Sequence, residues 1–159
     1  FNSKAFTFYY KINFLSTKTV FSEIGAQKVR ELPIKNISPS DQKPFVVKAD
    51  TMLALNKELQ EQSQKFQRTL ERKFSLTQLP KKLQDWYLLS YTDFIKELEK
   101  KKIKLSLSEE AEWETYFSTE AKKALELKAQ ITQTDKEIDQ MVYALYELTE
   151  DEIKIVEES

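Results

Sequence analysis

The stretch EAKKALELKAQITQTDKEIDQMVYALYEL, residues 120–148, decides the fold class of this chain. Its seam residues recur at alternating steps of three and four, and all but one of them are apolar. They are Ala124, Leu127, Ile131, Thr134, Ile138, Met141, Leu145 and Leu148. This spacing predicts a long amphipathic helix. A helix of this length needs a partner that covers its apolar side, either from this chain or from a second copy.

The rest of the composition also favours helices. The 159-residue chain has 40% hydrophobic residues, with 10 Phe and 7 Tyr, but one Gly and four Pro in all. Sheet-rich folds need many turns, and turns draw on Gly and Pro. We therefore predict a mainly α structure. Its core is a long-helix hairpin or bundle, joined to a small irregular or β-containing N-terminal part.

Helix-start signals divide the chain into elements. We expect a first helix that is capped by Asn2 or Ser3 and runs to about Ile12. An extended stretch from Phe14 to Glu23 and a short strand-like segment at Ile34–Ile37 are expected after it. Ser38-Pro39 and Asp41 predict one helical turn, followed by a main helix from Pro44 to Phe74. Later caps are expected at Ser90, at Ser108, and at Thr149 with Glu152. Whether 109–117 joins the long helix without a kink stays open at this point.

Several enzyme classes lack their usual residues here. There is no His and no Cys, which removes the Ser-His-Asp triad, a thiolate nucleophile and most zinc sites. A single Gly rules out a Gly-rich phosphate loop. The acid pairs Asp135/Asp139 and Glu109/Glu112 share helix faces, and we interpret them as solvated or lysine-paired, with Asp135 bordering the seam. The sequence therefore predicts no catalytic residue, no metal site and no cofactor in this stretch.

Charge is unevenly distributed along the chain. Residues 1–48 contain eight basic and three acidic residues, a net charge of +5, and residues 49–159 carry −6. An anionic partner such as DNA is expected to contact the first part. Lys18, Thr19, Lys28 and Arg30 are the candidate DNA-binding residues, because they lie in its non-helical basic portion. The alternative for each is an ordinary solvated side chain. The triplet Lys100–Lys102 is better explained by the dipole at a helix C-terminus.

Six segments, taken in order, resemble one protein family. They are FNSKAFTFYY (1–10), KVRELPIKNI (28–37), QKPFV (42–46), DTMLALNKEL (50–59), KLSLSEEAEWE (104–114) and EIDQMVYALYELTE (137–150). This order resembles the tail of a TaqI-like C-terminal specificity domain in adenine-specific type II restriction–modification methyltransferases, some of them fused to a nuclease. The Leu32-Pro33-Ile34 segment before a long helix also resembles specificity subunits of type I restriction systems. Glu147 departs from the pattern, because Gly is expected there.

The resemblance implies a non-catalytic role in choosing a DNA sequence. The family's Asn/Asp-Pro-Pro-Tyr/Phe motif and S-adenosylmethionine site would belong to a parent protein upstream, since no Pro-Pro occurs here and the chain begins with Phe. We predict that residues 1–43 are the end of a target-recognition domain and that residues 44–159 are a helical spacer. The expected partners are double-stranded DNA through the parent and a helix-mediated second copy. The alternative is a coiled-coil assembly module with no DNA role.

The location expected from the sequence is the cytoplasm. The absence of Cys suits a reducing compartment, and neither a signal peptide nor an apolar run approaching eighteen residues is visible. No contact with a membrane is therefore expected.

Overall fold

The computed structural model of the chain describes residues 3–14, 30 and 33–159. These residues form six α-helices and no strand, so the predicted mainly α fold is confirmed. The helices are α1 (Lys4–Phe14), α2 (Pro39–Phe74), α3 (Lys81–Gln84), α4 (Tyr91–Lys100), α5 (Leu107–Leu145) and α6 (Glu150–Glu157), with a 3-10 turn at Trp86–Leu88. None of the described helices is long and apolar enough to cross a membrane.

The chain forms two compact units. One contains Thr51–Thr132, and the other contains Phe1–Asp50 together with Gln133–Ser159. These units are defined by contacts within the chain. They do not test the predicted functional division into residues 1–43 and 44–159, which stays a prediction.

The 51–132 unit has an aromatic core. Phe66 is fully buried and stacks on Trp86, with ring centroids 3.6 Å apart. The rings of Phe94, Trp113 and Phe117 contact Phe66 with their edges. A second cluster joins α2 to α5 through Leu59, Ala124 and Ile131. The seam of α5 therefore finds a partner helix within this chain.

The connector after α2 and the start of α4 are also fixed within this unit. Leu79, Leu83 and Trp86 anchor the connector after α2, and Ser90 caps α4 by accepting the Asp93 N–H at 3.1 Å. Ser63 of α2 is buried, and Gln67 donates both to its hydroxyl and to the Gln84 carbonyl.

Helix boundaries correct several expectations. The first helix runs two residues beyond Ile12, and α2 runs unbroken through Pro44, which removes one backbone hydrogen bond without ending the helix. The 109–117 region and the long helix are one continuous element. Ile34 and Ile37 lie in irregular backbone with Ile34 61% exposed, because no neighbouring strand is available to pair with them in the described residues. The extended stretch expected between Phe14 and Glu23 lies outside the described residues from position 15 on.

The cap of α5 is Ser106 and not Ser108. The Ser106 hydroxyl accepts the Glu109 N–H, and Glu109 Oε2 accepts the Ser106 N–H at 3.0 Å, which is a capping box. Ser108 has no acid three residues on that could return such a bond. At the other end, α5 stops at Leu145 because Glu147 adopts φ 56°. The last helix begins as predicted, at the Thr149–Glu152 capping box.

Candidate functional site

The predicted DNA-binding residues are only partly described. Lys18, Thr19 and Lys28 lie outside the described residues. Arg30 is described, and it has helical backbone and an exposed side chain. Whether the four side chains form one surface therefore stays a prediction. The described residues on either side of this segment, α1 before it and 33–38 after it, have well-defined contacts.

Helix α1 is held at its N-terminus by an acid from α5. The backbone N–H of Lys4 donates to Asp139 Oδ1 at 2.8 Å, while Ser3 Oγ accepts the Phe6 N–H at 3.5 Å. Asp139 is 3% exposed, so its carboxylate satisfies a helix-terminal N–H away from water. Burial raises the pKa of Asp139, and the bond from Lys4 N–H opposes that rise. The interpretation of Asp139 as a solvated or lysine-paired acid is therefore wrong, because its carboxylate is buried, whereas Asp135 is exposed as that interpretation requires.

Glu157 at the end of α6 joins two donors. Its carboxylate pairs with Lys4 Nζ and accepts the Tyr143 hydroxyl at 2.7 Å. The bonds from Lys4 and then Tyr143 hold the pKa of Glu157 below its usual value. Burial, followed by the bond to Glu157, raises the pKa of Tyr143. Together with Asp139 these residues form a polar cluster, Lys4–Asp139–Tyr143–Glu157, which we call the α1 clasp.

The clasp is extended by two weaker contacts along α1. Lys11 Nζ donates to the Ser159 carbonyl at 3.2 Å, and the rings of Phe6 and Tyr146 meet edge to face at 5.8 Å. Helix α1 thus contacts α5, α6 and the last residue of the chain.

The chain after Arg30 is fixed by Tyr146. The Tyr146 hydroxyl donates to the Pro33 carbonyl at 2.6 Å and accepts the Lys35 N–H at 3.0 Å. Lys35 Nζ in turn donates to the Leu145 carbonyl at 2.8 Å and to Glu147 Oε1 at 3.0 Å. A cation therefore lies at the C-terminus of α5, where the helix dipole favours it.

Part of the basic excess of residues 1–48 is paired inside the chain. Residues 133–159 contain nine acidic and two basic residues. Lys4, Lys35 and Lys48 pair with Glu157, Glu147 and Glu137. Arg30 and Lys43 are exposed. Counting charges along the sequence missed this pairing because it joins residues that are 89 to 153 positions apart.

An apolar cavity of about 290 Å³ lies beside the clasp. Its wall is largely aromatic and aliphatic, and it includes Phe6, Tyr9, Pro33, Tyr146, Leu148 and Val156. A cavity without convergent polar groups offers little for catalysis.

Two of the other charged groups that the sequence singles out have structural partners. Glu109 caps α5, and Lys100 pairs with Glu97 at the end of α4 while Lys102 adopts φ 61°. The helix-end interpretation of the lysine triplet agrees with these contacts. The described residues contain no group of three acids, His or Cys placed to hold a metal ion.

Comparison with known proteins places the chain in one family. No curated protein and no solved structure matches it. A family model described as a domain of unknown function, DUF8810, matches residues 38–142. The matched range covers α2 to α4 and most of α5, and it leaves α1, α6 and the predicted DNA-binding residues outside. Because the match spans more than half of its length, the chain belongs to the DUF8810 family.

Proposed function

We propose that this chain is a non-catalytic DNA-specificity and helical support region of a restriction–modification adenine methyltransferase. The parent would supply S-adenosylmethionine and the methyl-transfer chemistry, with or without a fused nuclease, and would act in the cytoplasm. The proposal begins from the sequence resemblance of the six segments. It gives residues 44–159 the role of a rigid support and residues 1–43 the role of contacting DNA.

One observation supports this proposal most directly. The basic segment that contains Lys18, Thr19, Lys28 and Arg30 is flanked by two anchored stretches. Before it, Lys4 of α1 is bound by Asp139 and Glu157; after it, Pro33 and Lys35 are bound by Tyr146. Segments that bind ligands are commonly positioned by a rigid scaffold. The short distance along the chain from Arg30 to Pro33 keeps that guanidinium near its anchor.

The test is DNA binding by the whole chain, measured by fluorescence anisotropy with a labelled duplex over a range of salt concentrations. The double variant Lys28→Glu/Arg30→Glu is compared with Lys65→Glu/Lys122→Glu, which makes the same charge change on exposed helix positions of the 51–132 unit. We expect the first pair to weaken binding by about tenfold or more and to reduce the salt slope by about 2, because each phosphate contact contributes about 0.9. The control pair should change the binding affinity and the salt slope much less.

Two results would contradict the proposal. Equal weakening by both pairs would mean that net charge alone attracts DNA. Failure of the unaltered chain to bind any duplex would remove the DNA role.

The second candidate is a coiled-coil-like assembly module without a DNA role. It is supported by apolar side chains on α2 that water reaches, with Val46 54% and Val47 61% exposed. This candidate predicts a stable oligomer in sedimentation velocity that dissociates when Val46 and Val47 are both changed to Glu, together with indifference to DNA at every salt concentration. A monomer that binds DNA would exclude it.

A further inference from the structure

We propose that the apolar cavity lined by α1 and α6 binds a small aromatic cation, a ring system with a short side chain that ends in one ammonium group. All the described residues that line this cavity belong to one of the two compact units. The proposal does not rest on the DNA role, and it assigns a class of ligand to a cavity that the proposed function leaves unused.

The volume of the cavity sets the size of its ligand. That volume is about 290 Å³. A dry engineered cavity of about 150 Å³, lined by Leu, Ile and Phe, binds benzene, so roughly twice that volume accommodates two fused rings and a short side chain. It also lies near the lower end of the range for small-molecule pockets, which begins at about 300 Å³. A small molecule therefore fits this cavity, and a helix of a partner protein does not.

The walls of the cavity favour an aromatic ligand. Phe6 and Tyr146 meet edge to face, with ring centroids 5.8 Å apart and ring planes at 90°. A flat ligand can lie against the face of one ring and meet the edge of the other, which are the arrangements that aromatic pairs prefer. The Tyr146 hydroxyl is already bonded to the Pro33 carbonyl and the Lys35 N–H, so this side chain offers the cavity chiefly its ring.

The charge in the lining of the cavity is negative. Glu152 Oε2 accepts both the N–H and the hydroxyl of Thr149, each at 2.8 Å, and these two bonds hold the pKa of Glu152 below its usual value. Its other oxygen, Oε1, accepts no bond from the described residues. Glu152 is exposed and Ile155 is 56% exposed, so water reaches this side of the cavity. An ammonium group can thus stay partly hydrated near Glu152 while its ring enters the cavity.

No basic side chain among the described residues lines the cavity to balance Glu152. The lysines that contact the same part of the chain are engaged elsewhere. Lys4 pairs with Glu157, and Lys35 binds the Leu145 carbonyl and Glu147. An anionic ligand would therefore meet a carboxylate without a compensating cation, whereas an ammonium group gains both that carboxylate and the faces of the aromatic rings. Charge complementarity selects a cation over a neutral or anionic molecule of the same shape.

The test uses three indole compounds of similar shape and different charge at neutral pH. Tryptamine is a cation, 3-ethylindole is neutral, and indole-3-acetate is an anion. Each is titrated into the isotope-labelled whole chain, and two-dimensional NMR follows the backbone amides of Ala5, Phe6, Tyr146 and Ile155, which line the cavity. The amides of the 51–132 unit are the internal reference.

Two variants separate charge from shape. Glu152→Gln removes the charge but keeps the capping box, because Gln can return the bond to the N-cap as Glu does. Ala5→Phe places a ring in the cavity. Ala49→Phe is its matched control, since it makes the same change at an exposed position of α2 in the same unit, outside the described lining.

We expect tryptamine to bind about threefold to tenfold more tightly than 3-ethylindole, because a partly exposed ion pair and a cation–π contact each contribute modestly. Indole-3-acetate should bind most weakly. Glu152→Gln should remove most of the advantage of tryptamine and leave the affinity for 3-ethylindole almost unchanged. Ala5→Phe should weaken the binding of tryptamine and 3-ethylindole by about fivefold or more, because the added ring occupies part of the same volume. Ala49→Phe should weaken neither.

Several results would overturn the proposal. The lining amides could fail to shift with any of the three compounds at about 1 mM. Equal affinities for the three compounds, or a preference for tryptamine that survives Glu152→Gln, would exclude recognition of the cation by Glu152. Lining amides that shift with protein concentration alone would mean that a second copy covers the cavity. If Ala5→Phe disrupts α1, the comparison of the three compounds on the unaltered chain and on Glu152→Gln still decides. None of these results depends on whether the chain binds DNA.

Discussion

At the scale of single residues, three non-glycine residues in the described part of the chain end helices in the left-handed region. Ser75, Lys102 and Glu147 have φ values of 50°, 61° and 56°. In each case the next N–H returns to a carbonyl five residues back, as in the bond from Leu148 to Tyr143 at 3.1 Å. This is the Schellman arrangement, in which Gly is preferred because a Cβ is unfavourable there. The chain has a single Gly, so these helix ends carry strain that Gly would relieve.

Replacing Ser75 by Gly should therefore stabilise the protein. We expect the free energy of unfolding to rise by about 1 kcal/mol, since the left-handed cost to a non-Gly residue is about 1–2 kcal/mol and part of it is offset by the entropy of Gly in the unfolded chain. Urea denaturation measures the change. Ser118→Gly is the matched control, because Ser118 is exposed in the middle of α5 and should lose about 0.5–1 kcal/mol. Destabilisation by both changes would show that Ser75 is not strained.

Asp139 gives a pH dependence with a definite sign. Its folded-state pKa is raised by burial, so the folded protein holds this proton more tightly than the unfolded chain does. The contribution of Asp139 to stability is full below its unfolded value of about 3.8 and is lost as the pH rises through the folded pKa. The stability of the unaltered protein relative to Asp139→Asn should therefore fall as the pH increases across that window. Denaturation at several pH values from 3.5 to 7 measures it, and a difference that rises with pH would contradict the burial argument.

Glu147 and Asp139 differ in how far the sequence could identify them. Glu147 is singled out by the resemblance, because a helix end with an expected Gly is a local feature of the chain. Asp139 is one of several acids on the flank of the seam, and its burial results from the docking of a helix 135 positions away. Periodicity describes one helix at a time, so it could not distinguish Asp139 from Asp135.

At the scale of helices, capping chemistry predicted most starts correctly, because a cap depends on residues within four positions of each other. Ser38, Ser90 and Thr149 all bond to the acid or N–H three residues on. At α5 the sequence analysis chose Ser108 as the cap, whereas the cap is Ser106, two positions earlier. The return bond from Glu109 to Ser106 decides between them, and the S-x-x-E spacing that makes it possible is present in the sequence.

The two serines can be separated by mutation. Ser106→Ala should lower the free energy of unfolding by about 1 kcal/mol, because it removes the acceptor of the Glu109 N–H and one side of the capping box. Ser108→Ala changes an exposed residue inside the first turn and should stay within about 0.5 kcal/mol of the unaltered protein. Chemical denaturation of both variants measures the difference. A larger loss for Ser108→Ala would restore the sequence-based assignment of the cap.

At the scale of the whole molecule, the sequence predicted the class of fold but not how its pieces are grouped. The seam of α5 required a partner helix, and periodicity left open whether it came from this chain or from a second copy. Leu59 of α2 packs with Ala124 and Ile131, which gives part of the seam an internal partner. That residues 133–159 group with the first 50 could not be predicted, because it depends on contacts such as Lys4 with Glu157, 153 positions apart.

The distribution of buried residues predicts unequal stability along the chain. Among the described residues, three of the four largest fully buried rings, Phe66, Trp86 and Phe94, lie in the 51–132 unit, and the fourth is Tyr143. The described side chains of α1 are at most half-buried. The slowest-exchanging amides should therefore belong to the helices around Phe66, and the α1 amides should exchange through a smaller opening. Phe66→Ala should reduce the free energy of opening measured at these slowest-exchanging amides by about 3–5 kcal/mol. The exchange of the α1 amides should stay almost unchanged. Leu53→Ala is the control, because Leu53 is 69% exposed, and it should alter the exchange of neither the core amides nor the α1 amides. Native-state hydrogen exchange resolved by residue measures both groups at once. If Phe66→Ala accelerated the exchange of the α1 amides by the same factor as that of the core amides, α1 would open only with the whole molecule.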